Sequence, residues 1–183
     1  MTDQPATVTL SDTPVIETER LILRAPVAGD WPFWASFFTS DRARFIGGED
    51  NREKAWRAFG HVIGHWVLRG CGNFIITLKT DSRPVGEAGP WYPDGWPERE
   101  IGWSLWDPAI EGTGIAAEAA IATRAHAYTA LGWPSAVSYV AHGNDRSARL
   151  AERLGCTLDP AAATPRGEPC HVWRHPSPAA LAA

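Results

Sequence analysis

The chain has 183 residues, a net charge of −4, 44% hydrophobic residues and 21% charged residues. That is one domain's worth of sequence, long enough to close a single core and too apolar to stay disordered. A mildly acidic balance argues against nucleic acid as a partner, because phosphate backbones require a basic footprint.

Met1 to Val15 is polar, with scattered Thr and Pro, and reads as a loose lead-in. Leu21–Arg24 is a short strand stopped by Pro26. Asp30 is placed to cap a helix with Pro32 in its first turn and Trp34, Phe37 and Phe38 on its apolar side. A second helix runs from Arg52 to Leu68, its apolar residues recurring at three- and four-residue steps, and Gly70 suits its end. Phe74–Leu78 is a β-branched and apolar strand followed by the turn Asp81–Pro84. Val85–Ala88 and Glu100–Leu105 are further strands around a Pro/Gly/Trp-rich loop, Gly89–Pro97. Ile115–Leu131 is an Ala-rich helix closed by Gly132, and Ala136–Val140 is a strand. Asn144 caps a short helix that ends at Leu154–Gly155, and Val172–Arg174 sits in a last strand. The segment 176–183 is Pro/Ala-rich and reads as a frayed tail, which leaves 16–175 as a single domain. Hairpin-length connections in the middle and helical ones later indicate an α+β fold with a mixed sheet.

Three cysteines, Cys71, Cys156 and Cys170, form no CxxC pair. No stretch combines positive charge, a long apolar run and a cleavage site, and no apolar run approaches bilayer length, so no membrane association is expected. A cytoplasmic setting with the cysteines as packing residues follows. His61 and His65 have a spacing that can hold zinc, but no Glu follows the first His and no third ligand is evident, so no metal is expected.

Glu111-Gly112-Thr113-Gly114-Ile115-Ala116 lies between a strand and a long helix. Two glycines let a backbone approach a ligand closely, and the free N–H groups at a helix start favour a pyrophosphate. No Lys-Ser/Thr follows, so this is not a P-loop, and a tight turn without ligand accounts for the same residues. Glu100-Ile101-Gly102-Trp103-Ser104-Leu105 lies upstream, and Asn144-Asp145-Arg146-Ser147 with Leu154-Gly155-Cys156 downstream. In this order and spacing, the three segments resemble the RimJ/RimL-like branch of the GNAT N-acetyltransferases. Glu19–Arg24 and the Gly64-to-Phe74 stretch fit the same branch, so the resemblance spans Glu17 to Arg174.

The resemblance implies a central, mostly antiparallel sheet in which two adjacent parallel strands, Glu100–Leu105 and Ala136–Val140, splay into a V that receives acetyl-CoA as co-substrate. It places the pantetheine arm against the backbone of Trp103, Ser104 and Leu105. It places the pyrophosphate on the amides of Gly112, Thr113, Gly114, Ile115 and Ala116, and makes Asn144 a further cofactor contact. The family usually has Gln or Arg where this chain has Glu111. A carboxylate there repels a pyrophosphate unless it faces solvent or pairs with a cation.

Acetyl transfer requires a base for the amine, a donor for the leaving thiolate and fixed N–H groups for the oxyanion. Glu100 is the candidate base: the strand period puts it on one face with Gly102 and Ser104, and the family commonly has Glu at this step, acting through water. A solvated glutamate at a strand end explains the same residue. Ser147, in the first turn of the helix capped by Asn144, is the candidate donor to the thiolate. Many GNAT enzymes use a Tyr seven residues after the Asn, where this chain has Ala151. The first two helices border the acceptor pocket in the family, so Trp34, Phe37 and Trp66 are candidates to line it; most of these rings otherwise read as core. Trp91, Tyr92 and Trp96 are placed in the loop as an aromatic wall for an acceptor or a partner.

The expectation is therefore a metal-free N-acetyltransferase that moves an acetyl group to a primary amine, on a small molecule or a protein N-terminus, by direct attack in a ternary complex. The sequence also leaves room for a homodimer. Two other readings remain open: an acyl-CoA-binding module of the same fold without turnover, and an interaction protein using a Trp-rich surface.

Overall fold

In the computed structural model, which describes residues 9–182, one sheet gathers β1 (Ile16–Glu17), β2 (Leu21–Arg24), β3 (Phe74–Leu78), β4 (Pro84–Trp91), β5 (Glu100–Leu105), β6 (Val137–Ala141), β7 (Thr157–Leu158) and β8 (Cys170–Arg174). Their order is β1-β2-β3-β4-β5-β6-β8-β7. All neighbouring pairs are antiparallel except β5 and β6. That parallel pair needs a crossover, which helix α3 (Ile115–Thr129) provides.

The period of two in the strands sorts the core onto two faces. Leu21, Leu23, Phe74 and Ile76 pack with Ile115 and Ala119 of α3. On the opposite face Ile75 packs with Trp34, Phe37 and Phe38 of α1 (Trp31–Phe38) and with Phe59 and Val62 of α2 (Arg52–Arg69). Helix α2 starts at an Asn51 cap that accepts from the Lys54 amide and stops at Gly70, whose φ of 70° suits glycine. Helix α4 (Asp145–Arg153) packs Leu150 and Ala151 against Ala120 of α3.

Three local expectations are corrected. Asp30 does not cap α1 with its side chain; it is 1% exposed and instead takes a two-pronged contact from Arg24 and the Val27 amide. That arrangement gives a buried carboxylate both its counter-charge and its donors. Strand β4 continues to Trp91, so Gly89, Pro90 and Trp91 belong to the sheet and not to the loop. Gly89 has a φ of 148° and lies opposite Gly102, and the register runs on to Trp91↔Glu100. Pro178–Ala182, in the segment read as a frayed tail, forms a short exposed helix, α5. The two-residue strands β1 and β7 are too short to leave a periodic signal.

The sheet opens between β5 and β6. Their register includes Glu100↔Val137, where the Val137 amide donates to Arg99 O at 2.9 Å. One residue further, the Ser138 hydroxyl donates to Ile101 O at 2.6 Å, a side-chain bridge where a backbone amide would otherwise pair. Ser138 Oγ in turn lies 2.9 Å from His175 Nε2, and His175 Nδ1 lies 3.3 Å from Arg124 NH1. Arg124 can only donate, so His175 is neutral and donates from Nε2. Burial, with Arg124 adding to it, pushes the His175 pKa down to about 3. This buried string holds the two strands at the point where they part.

Candidate active site

A cavity of about 460 Å³ lies on the α1/α2 face of the sheet and extends into the opening between β5 and β6. Its floor is three cross-strand rungs of β4 and β5: Trp91↔Glu100, Gly89↔Gly102 and Glu87↔Ser104. The middle rung has no side chains, which leaves a hollow between two glutamates. Trp34, Phe38, Trp91, Trp96 and Tyr139 supply aromatic wall. His65 fixes part of that wall. Its Nδ1 lies 2.7 Å from Cys71 O, its Nε2 accepts from the Tyr92 amide at 2.9 Å, and its ring stacks on Trp91 at 4.5 Å. Both ring nitrogens of His65 are thus committed to the backbone, and no group of three or more His, Cys, Asp or Glu side chains that could hold a metal occurs among the described residues.

Glu100 lies at the opening of the V, in the cavity wall. Trp96 Nε1 donates to its Oε2 at 2.8 Å, and the Tyr139 amide also donates to the carboxylate. Burial outweighs these two donors and pushes its pKa up to about 7. A carboxylate so poised accepts a proton at neutral pH and gives it up again. The solvated strand-end reading of Glu100 does not describe this environment.

Along β5 the edge facing β6 has no strand pairing beyond the Ser138 bridge, so the backbone of Trp103 borders the opening, while Ser104 pairs across to Glu87 of β4. At Leu105 this edge is met by Arg42, which donates to Leu105 O at 3.0 Å. Trp103 and Ser104 line the cavity together with Asn144 and Ser147, which brings these four predicted residues to one place. The Asn144 side chain accepts from the Ser147 amide, so it caps α4. Trp103 Nε1 donates to Ser147 Oγ at 3.3 Å across the cleft. That contact occupies a lone pair of the hydroxyl and leaves its hydrogen free to donate.

The turn after β5 has Gly112 and Gly114 at φ 77° and 86°, which a side chain would strain. Gly114 is the cap of α3 and supplies no side-chain acceptor, so the first amides of α3, at Ile115 and Ala116, have no cap partner. Arg20 secures the turn from behind by donating to Thr113 O and pairing with Glu118. Glu111 pairs with two cations, Arg42 at 2.6 Å and Arg146 at 2.5 Å. Its negative charge is therefore compensated, and the bridge joins the β5 side of the V to the start of α4.

Of the three aromatic residues expected in the acceptor pocket, Trp34 lines the cavity, and Phe37 and Trp66 do not. Phe37 turns into the α1/α2 core, stacked on Trp106. Trp66 packs edge-on against Phe74 and donates to Asn73 O. Both are corrections with one cause: the helical period gives several apolar residues per turn, and only contact with the sheet decides which of them face the cavity. Sequence reasoning missed Glu87, Asn73 and Tyr139 on the wall. Glu87 lies in a predicted strand, and pairing it with Ser104 requires the β4–β5 register.

An open parallel strand pair, an uncapped helix start beside two left-handed glycines, and a serine and a glutamate facing one cavity form an arrangement compatible with acyl transfer from a thioester of coenzyme A. The family profile "Acetyltransferase (GNAT) domain" matches residues 20–157, and the chain belongs to that family of acetyl-CoA-dependent N-acetyltransferases. The crystal structure of an acetyltransferase from Agrobacterium tumefaciens str. C58 is similar at 36% identity and a TM-score of 0.84, covering 95% of this chain and 100% of that one. A GNAT-family protein from Bordetella pertussis is similar at 26% identity and a TM-score of 0.73, covering 89% and 99%. The fold is shared with a ribosomal-protein-serine acetyltransferase structure from Vibrio cholerae, at 19% identity, a TM-score of 0.70 and coverage of 90% and 99%.

Proposed function

We propose that this chain acetylates a primary amine by direct attack in a ternary complex, with Glu100 as the base and Ser147 as the donor to the departing sulfur. The observation that carries the reading is the position of Glu100: at the opening of the V, held by Trp96 and the Tyr139 amide, in the same cavity as Ser147. Acetyl-CoA supplies the thioester carbonyl that the amine attacks. An alkylammonium has a pKa of about 10, so it must lose a proton to become a nucleophile. Glu100 takes that proton, directly or through one water. The amides of Trp103 and Leu105 offer donors to the carbonyl oxygen, as in an oxyanion hole. Ser147, its oxygen steadied by Trp103, directs its hydrogen toward the sulfur.

The cofactor residues carried by this reading are Trp103, Ser104, Leu105, the Gly112–Ala116 turn and Asn144. The cavity suits a small amine or the end of a peptide, and a protein N-terminus is one acceptor class consistent with the RimJ/RimL-like motifs. The non-catalytic alternative rested on Glu111 and the missing tyrosine. The pairing of Glu111 with Arg42 and Arg146 speaks against the first ground, and for the second this reading assigns the donor role to Ser147.

Initial rates with both substrates varied test the ternary complex. Intersecting reciprocal plots, with intact protein unmodified by acetyl-CoA alone, are expected; parallel plots with an acetylated protein overturn direct attack. Ser147→Ala is expected to lower kcat about tenfold with KM for the amine little changed, the signature of a contact made mainly in the transition state. Glu111→Gln frees two arginines beside the turn, and titration calorimetry should find coenzyme A bound about threefold tighter or more at low salt, with a steeper salt dependence. Weaker binding would mean that Glu111 shapes the turn and does not merely neutralise arginines.

A further inference from the structure

Three oxygens in the cavity wall have no hydrogen-bond partner among the described residues: Glu87 Oε2, Asn73 Oδ1 and Tyr139 Oη. Glu87 and Asn73 are 6% and 9% exposed, so water does not readily satisfy them. Buried polar atoms are nearly always paired, and an orphan on the wall of a cavity points to a ligand that completes it. The Glu87 carboxyl has one protein contact, the Ser104 hydroxyl, whose oxygen accepts from Trp106 Nε1 at 3.2 Å and whose hydrogen is thereby directed at Glu87. Burial without a counter-charge pushes the Glu87 pKa up to about 8.

Glu87 and Asn73 sit at two levels of the floor. A Cβ on Gly102 would lie 3.7 Å from Glu100 Oε1 and 3.9 Å from Asn73 Oδ1, so the hollow over Gly102 is flanked by two acceptors. Glu87 stands on the next rung, opposite Ser104, about 7 Å further along β5. The basic side chains on the cavity wall are His61 and Arg166; neither pairs with Glu87 or Asn73, and Arg166 lies over the Trp96 ring. The deep part therefore presents acceptors and acid groups without matching cations. An ammonium brings donors and a positive charge and nothing else. A hydroxyl or an amide brings no positive charge to offset a buried carboxylate.

We infer that the acceptor is a diamine, with one amino group over Gly102 between Glu100 and Asn73 for acetylation and the second, as an ammonium, donating to Glu87, which makes Glu87 the residue that selects the acceptor. Trp34, Trp91 and Trp96 provide apolar wall for the carbon chain between the two nitrogens. This inference rests on the acetyl-transfer reading above, with Glu100 as its base. It adds a specificity that the base alone does not confer, because a monoamine satisfies Glu100 and leaves Glu87 unpaired.

The test compares putrescine and cadaverine with n-butylamine and n-pentylamine, by kcat/KM and by calorimetric binding, for the unaltered protein and for Glu87→Gln. The unaltered protein should prefer each diamine at least tenfold, and in E87Q that ratio should collapse toward one. Equal use of diamines and monoamines by the unaltered protein overturns the inference, as does a ratio unchanged in E87Q. If no amine is acetylated, the acetyl-transfer reading fails instead. Binding then still decides the role of Glu87: diamine binding lost in E87Q supports it, and binding unaffected by E87Q refutes it.

Discussion

Glu100→Gln is expected to lower kcat/KM for the amine about a hundred- to a thousandfold, the ordinary range for removing a general base. The pH profile should change with it. Glu100 works as a base only when ionised, and its pKa is pushed up to about 7, so the wild-type rate should fall as pH drops through that value. Glutamine cannot ionise, and the acidic limb should vanish in the variant. Trp96 and the Tyr139 amide both stabilise the ionised form. Trp96→Phe should therefore move the limb to higher pH and leave most of the activity in place. A Gln variant with unchanged rate and unchanged limb would remove Glu100 from the mechanism.

Glu87→Gln is expected to stabilise the fold. The folded protein raises Glu87 from its ordinary value of 4.5 to about 8. The folded chain therefore keeps a proton that the unfolded chain releases across this range. The stability from this group is fully present below about pH 4.5 and is lost progressively as pH rises to about 8, a difference of order 4 kcal/mol. Glutamine has no such titration and keeps the contact to Ser104. Urea unfolding should find E87Q more stable than wild type by a few kcal/mol at pH 8, with the gap closing toward pH 5. A variant destabilised equally at both pH values would contradict the burial of an uncompensated acid. His175 acts at the other end of the scale. Its pKa is lowered to about 3, so its contribution is full above 6.5 and is lost as pH falls below that value.

These two glutamates show how far the sequence could be read. The place of Glu100 on the cavity wall was legible because strand alternation puts it beside Gly102 and Ser104, and because the family resemblance gave that strand a role. Glu87 has the same alternation but was silent, since only the antiparallel register shows that it shares a face with Glu100. The glycine turn was legible from its composition, and so was the Asn144 cap. The charge on Glu111 was visible too, but Arg42 and Arg146, which compensate it, approach from 69 and 35 residues away in the chain. Long-range ion pairs leave no local pattern. The helix aromatics divide in the same way: Trp34 faces the cavity, and Phe37 and Trp66 face the core, a choice made by packing and not by period. The tryptophan-rich composition resolves into core rings and a cavity wall, and among the described residues Trp56 is a large aromatic left mostly exposed, at 59%.

The most direct measurement of the central claim follows release of the coenzyme A thiol from acetyl-CoA in the presence of a panel of primary amines, with the acetylated product identified by mass. The account predicts amine-dependent thiol release in step with an N-acetylated product, lost in the Glu100→Gln variant. Tight calorimetric binding of acetyl-CoA without thiol release for any amine would contradict it and leave the protein as an acyl-CoA-binding module.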